Sequence, residues 1–369
     1  MSRLLTTVSA ITILAGTYVS ADVPKVIADI APVHSLVSRV MDGVGKPNLI
    51  VPNEASPHDY RLRPADAQAI ENANLVFWMG EGLTPWMERA LEALNNDSDV
   101  VEFLALKEST LLPFREGALF EAHDDHDDHD DHDDHDDHDK DHDDHDDHDD
   151  HDKEHDDHDD HDDHDDHDKD HDDHDDHDKE HDDHDDHDDH DDHAGHDHGE
   201  FDPHAWLSTN NAKTWLNVIA AKLSSIDPDN AGTYFANANE ARNELDDLDL
   251  EVNQMLAPVR GGKFIVFHDA YQYFETVYDF AASGAISLSD ASDPGAARIA
   301  EIAARIKSQD IDCVLSEPQF NAGLVKAVMD GTDATTQVID PVGFGIEAGS
   351  SLYPRLIRAM AQSLVDCLK

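Results

Sequence analysis

Three histidines stand in short motifs that could bring imidazoles to one place. They are His58 in Ser56-Pro57-His58-Asp59-Tyr60, His204 in Phe201-Asp202-Pro203-His204-Ala205-Trp206, and His268 in Phe267-His268-Asp269-Ala270-Tyr271. His58 falls just past one predicted strand and His268 at the carboxyl end of another, the edge where open parallel sheets bind ligands. His204 enters a predicted helix. Three imidazoles from distant points in the chain make a borderline-soft, tetrahedral donor set that favours Zn²⁺. Any one of them alone reads as a hydrogen-bonded structural histidine; their shared placement at element ends argues for a site. Asp340, in Val338-Ile339-Asp340-Pro341, ends the last predicted strand, where it is equally a fourth ligand or a turn cap. Asp59 and Asp269, each directly after a proposed ligand, are expected to be outer hydrogen-bond acceptors or caps. His34 opens an apolar helix face and is read as structural.

The other 25 of the chain's 29 histidines lie in residues 123–198, where Asp-Asp-His repeats at a period of three. His123, His126 and His129 open this tract, and His193, His196 and His198 close it. Histidines at that spacing offer overlapping weak metal sites, enough for on the order of ten Zn²⁺. Protons should compete with the metal there below about pH 6. Apart from Ala194 the tract has no apolar residue, so it cannot offset its ordering entropy and is expected to be a disordered insertion. It reads as a zinc-capturing or buffering segment, against the alternative of a solvated charge run expanded as a simple repeat.

The elements that must position the three motifs follow from alternating patterns. Short β-branched runs alternate with helically spaced stretches, the signature of βαβ units and a parallel sheet. Strands are predicted over 25–30, 48–52, 74–79 and 99–103, with helices over 35–41, 64–72 and 84–94. A helix runs from 212 to about 225, and a longer, mostly charged one from 228 to 256. Pro258 and Gly261-Gly262 end it. The alternation then restarts, with strands over 263–267, 285–288, 312–316 and 337–339 and helices over 269–280, 294–309, 323–330 and 353–367. The predicted fold class is α/β: two parallel-sheet lobes, 22–225 and 259–369, joined by a long rigid helix over 226–258, with the metal site in the cleft between them.

Composition narrows the partners. The formal charge is −60, and the tract, with 43 aspartates, two glutamates and four lysines, carries most of it. The rest is still acidic, which repels phosphate backbones and attracts divalent cations, so nucleic acid is not an expected partner. Residues 1–21 read as an export signal, with Arg3, an apolar run from Val8 to Ala15, and Val19-Ser20-Ala21 as the cleavage site. Asp22 stands where a lipid-anchored protein would need cysteine, so a free periplasmic protein is expected. The only two cysteines, Cys313 and Cys367, can be expected to pair in an exported protein, the alternative being two unrelated buried thiols.

The motifs around the three histidines, together with Arg63-Pro64 and Ser316-Glu317-Pro318-Gln319-Phe320, resemble those of the ZnuA-type periplasmic solute-binding proteins of zinc ABC transporters. The likeness extends over nearly all of the predicted mature chain, with four motifs in order. It implies two α/β lobes on a rigid helix, zinc on His58, His204 and His268, a charged His-rich loop, and a disulfide at Cys313 and Cys367. It also implies a membrane permease and an ATPase as partners, with the chain acting as a monomer. The position before the first ligand is Pro57, which cannot coordinate, so the fourth position falls to Asp340 or water. Asp340 matches an aspartate that is a ligand in manganese-binding relatives, but those carry a carboxylate where this chain has His268, which favours zinc. A zinc store or adhesin is a further alternative. A zinc hydrolase is a weaker one, since there is no His-Glu-x-x-His helix, Gly-x-Ser-x-Gly turn or cysteine nucleophile.

Overall fold

The structure is a computed structural model, and it describes residues 23–94, 98–115, 120, 200–287, 294–320 and 322–369. The predicted export signal over 1–21, the tract with its histidines, and Leu288 lie outside the described residues.

The first lobe contains β1 (Val26–Ala28), α1 (Ala31–Val40), β2 (Asn48–Leu49), α2 (Pro64–Glu71), β3 (Leu75–Trp78), α3 (Pro85–Leu94) and β4 (Asp99–Glu102). Its strands form one parallel sheet in the order β2-β1-β3-β4. The second lobe contains β5 (Phe264–His268), α6 (Gln272–Tyr278), β6 (Ala285–Ser287), α7 (Ala296–Gln309), β7 (Cys313–Ser316), α8 (Ala322–Met329) and β8 (Thr335–Val338). The order there is β6-β5-β7-β8, again parallel. The strands are shorter than the apolar runs that predict them. Past β2, for example, the pairing continues only through Ile50 N–H to Ala28 O and Val51 N–H to Asp29 O. The chain then leaves the sheet edge at Pro52, whose ring removes the next donor.

Asp29 fixes that edge. It is fully buried at the end of β1, and its two oxygens accept the backbone N–H groups of Ile30 and Met79 at 2.8 and 2.7 Å. Burial pushes its carboxyl up to about 7, opposed by those backbone hydrogen bonds.

Between the lobes run α4 (Thr209–Ile226) and α5 (Ala231–Leu256). The 26 residues of α5 span about 39 Å at the usual helical rise. Tyr234, Ala238, Ala241, Leu245, Leu248, Val252 and Leu256 form one buried stripe along it at three- and four-residue spacing. The stripe packs on α4, on α1 and on the final helix, α9 (Leu352–Leu368). The helix is therefore more than the polar-faced connector its charge implies. Nor does α9 merely close the second lobe: its broad apolar face reaches α1 and α5 as well as β7 and β8. The lobes consequently share one continuous core, with a smaller core behind each sheet.

Cys313 in β7 and Cys367 in α9 form a disulfide, with Cα atoms 5.7 Å apart. It anchors the end of α9 to the second sheet, where Thr335 Oγ1 also donates to Cys367 O at 2.7 Å. A bridge closing a loop of that length is worth roughly 4 kcal/mol through the unfolded chain. Replacing both cysteines by serine should lower the urea midpoint and the melting temperature accordingly. Unchanged midpoints would show that α9 is held by packing alone.

Candidate metal centre

Each of the three histidines reaches the cleft from a different support. His268 is the last residue of β5, and His204 opens a short 3₁₀ turn over Ala205–Leu207. His58 lies in the loop that leaves β2. Trp86 holds that loop by donating its indole N–H to Pro57 O at 2.9 Å and packing on Tyr60. The Tyr60 hydroxyl in turn donates to Asp66 at 2.7 Å.

Buried carboxylates orient two of the rings. His204 Nδ1 lies 2.7 Å from Asp202 Oδ1, which also accepts the His204 backbone N–H at 2.9 Å. His268 Nδ1 lies 2.6 Å from Glu317 Oε1. A carboxylate facing Nδ1 demands a proton there, which makes Nε2 the nitrogen whose lone pair a metal would use. Asp202 and Glu317 are almost wholly buried, and neither pairs with Lys or Arg among the described residues. The second oxygen of Asp202 is buried without a hydrogen-bond partner. The site is thus short of positive charge.

The His204 ring centroid is 5.7 Å from that of His58 and 5.3 Å from that of His268. Imidazoles on one tetrahedral zinc, with bonds of about 2.1 Å, would have centroids about 5.2 Å apart. The His204–His268 spacing is close to that value and the His58–His204 spacing is slightly wider. Among the described residues no group of three or more His, Cys, Asp or Glu is close enough to hold a metal as it stands. The rings stand around a small cleft of about 20 Å³ whose lining includes the three histidines, Trp206, Glu317 and Phe320. Phe320 meets the His268 ring edge-on at 5.4 Å and Trp206 packs at 5.2 Å from His204, so one wall is aromatic and dry.

The remaining sequence candidates fall elsewhere. Asp340 stands at the end of β8, where its Oδ1 accepts Val342 N–H at 3.1 Å and Gln319 Nε2 at 3.4 Å. It does not line the cleft. Burial pushes its carboxyl up, against the Val342 hydrogen bond. Asp269 is buried. It pairs with Arg115, whose guanidinium also reaches Glu275 at 2.7 Å. Burial pushes the Asp269 carboxyl up while Arg115 pulls it down. Asp59 is exposed. His34 is buried in α1 with Nε2 3.1 Å from Pro47 O, and desolvation lowers its pKa. The accessory histidines 123, 126, 129, 193, 196 and 198 lie outside the described residues. Sequence reasoning missed the roles of Asp202 and Glu317, although both stand inside motifs already singled out.

Comparison with known proteins agrees with this architecture. The family model described as "Zinc-uptake complex component A periplasmic", ZnuA, matches residues 26–367. The high-affinity zinc uptake system protein ZnuA of Brucella abortus (strain 2308) is 44% identical over 353 residues, covering 96% of this chain and 94% of that protein. The protein of the same name from Paracoccus denitrificans is 39% identical over 349 residues, covering 94% and 93%. A crystal structure of ZnuA superposes with a TM-score of 0.63 at 20% identity, over 94% of this chain and 100% of that one, a likeness of fold. The chain belongs to the ZnuA family of zinc-uptake complex components.

Proposed function

We propose that this protein is the high-affinity zinc-binding component of an ABC importer, which captures Zn²⁺ in the periplasm and delivers it to a membrane permease driven by an ATPase. The observation that carries the reading is the convergence of three imidazoles with buried carboxylates behind two of them. Zinc here is cargo. Nε2 of His204 and His268, with the His58 ring, would supply three neutral donors, and Asp202 and Glu317 together would offset its double charge. A water or a small displacement of the Asp340 turn would complete the tetrahedron. No helix among the described residues is long and apolar enough to cross a membrane. The tract would collect zinc, a role supported by its composition alone.

The wider of the two spacings gives capture and release a simple form. Bringing His58 to the tetrahedral spacing from His204 needs a shift of about half an ångström between centroids, small enough for a loop to supply. The imidazoles need no bound proton at the metal nitrogen, so zinc competes with protons and binding should weaken on acidification.

Zinc stoichiometry and affinity, measured by competition with a chelator, test the assignment. The His58→Ala, His204→Ala, His268→Ala triple variant should lose one tight equivalent and keep the weak ones. Retention of the tight equivalent would move the function into residues 123–198.

A second measurement probes the carboxylates. Glu317→Gln and Asp202→Asn keep the shape of each side chain and remove its charge. Each should weaken zinc binding about 10–100-fold. Affinity equal to wild type would mean that the metal does not bind through these imidazoles.

A further inference from the structure

The loop that carries His58 is tied to the opposite lobe by a side chain five residues upstream. Asn53 is buried and donates both amide hydrogens to backbone carbonyls far along the chain, Gly343 O at 2.7 Å and Ile346 O at 2.6 Å. Two converging carbonyls need a donor with two hydrogens on one nitrogen, which an asparagine supplies and an aspartate or alanine does not. Trp86 and Asp66 hold the same loop from within its own lobe.

The segment that receives Asn53 is shaped for the purpose. It follows Asp340 and turns through Gly343 and Gly345 at φ 93° and 74°, a backbone conformation that glycine adopts without strain. A side chain at 343 would also press on Leu352, with contacts of 3.3 Å. At its start, Pro341 O accepts the Trp206 indole N–H at 2.8 Å, and Trp206 packs against His204. The residues from Pro341 to Ile346 therefore touch the loop of His58 at one end and the surroundings of His204 at the other. His204 and His268 are each pinned by a carboxylate close by. The His58 loop is anchored on the opposite lobe as well, through Asn53.

We propose that Asn53 is a positioning residue for metal release: its paired hydrogen bonds hold the His58 loop over the other two imidazoles, and their rupture sets the rate at which zinc leaves. This rests on reading the trio as the zinc site. Breaking the pair loosens the His58 loop, and the two carbonyls of the opposite lobe return to solvent. Capture is set by arrival of the ion at the cleft, so its rate should depend little on the latch.

The test uses the full chain loaded with one equivalent of zinc, so that only the tightest site is filled, and follows release into excess chelator. Asn53→Ala should release zinc about tenfold faster or more, with the association rate and the melting temperature of the metal-free protein close to wild type. Asn53→Ser, which can reach one carbonyl at most, should fall between the two and serves if the alanine variant folds poorly. Release at the wild-type rate in both variants overturns the proposal. It does so even if the metal-free protein melts lower, since that result marks Asn53 as structural only. His58→Ala measured alongside separates the two failures: if it loses the tight equivalent while Asn53→Ala releases normally, the latch fails and the zinc site stands. If it keeps the tight equivalent, the zinc-site reading fails too.

Discussion

The hydrogen bond from an imidazole to a buried carboxylate is the interaction on which the site depends. A carboxylate with no cationic partner is costly inside a protein, because little water remains to solvate it. Asp202 and Glu317 each meet that cost partly through the Nδ1–H of a histidine, which also fixes the tautomer and the direction of the ring. The pairs fix the orientation of two rings. They also leave the cleft short of positive charge, so in the proposed zinc site the groups that orient the ligands would be the same groups that draw the metal in. The aromatic wall of Trp206 and Phe320 excludes water from one side of these pairs and strengthens them.

That arrangement needs a frame that does not move. The apolar stripe of α5 packs on α1, α4 and α9, and α9 is stitched to the second sheet by its disulfide. Both sheets thus rest on a common set of helices instead of swinging on a flexible hinge. With the frame stiff, motion is left to segments that carry little core. Foremost is the stretch after β2, which leaves its sheet at Pro52 and spans the chain to α2. A strand end holds His268 and a buried 3₁₀ turn holds His204, while a loop fixed by side-chain hydrogen bonds carries His58.

Much of this is readable from residue order because the relevant signals are local. A β-branched run followed by a turn and a helical stretch marks a strand and its carboxyl end, so His58 and His268 announce their own positions. The element ends are less legible, since they depend on hydrogen bonds to a neighbouring strand that the run itself does not encode. The strand predicted over 48–52 keeps its pairing to Val51 but only two residues of regular ladder. The partners of the rings were misplaced for a similar reason. Asp269 is the carboxylate nearest His268 in sequence, yet at the end of a strand successive side chains point to opposite faces. The next residue therefore turns away to meet Arg115, and the partner comes from Glu317 beyond the neighbouring strand. Asp202 reaches His204 because Pro203 bends the chain between them, a local effect that the motif does contain. The shared core of α5 and α9 is invisible to any reading that treats charge along a helix without its buried stripe.

The two stems that flank residues 123–198 meet in an antiparallel bridge between Pro113 and Phe201, with Asp202 N–H donating to Leu112 O at 2.9 Å. Tyr273 ties the same place down, accepting Leu112 N–H and donating to Asp202 O. Because the ends are closed by the fold itself, the stems meet whatever length of chain joins them. For a flexible loop each doubling of length costs only about 0.6 kcal/mol of closure entropy. The geometry of the cleft is therefore insulated from a change in the number of residues between the two stems.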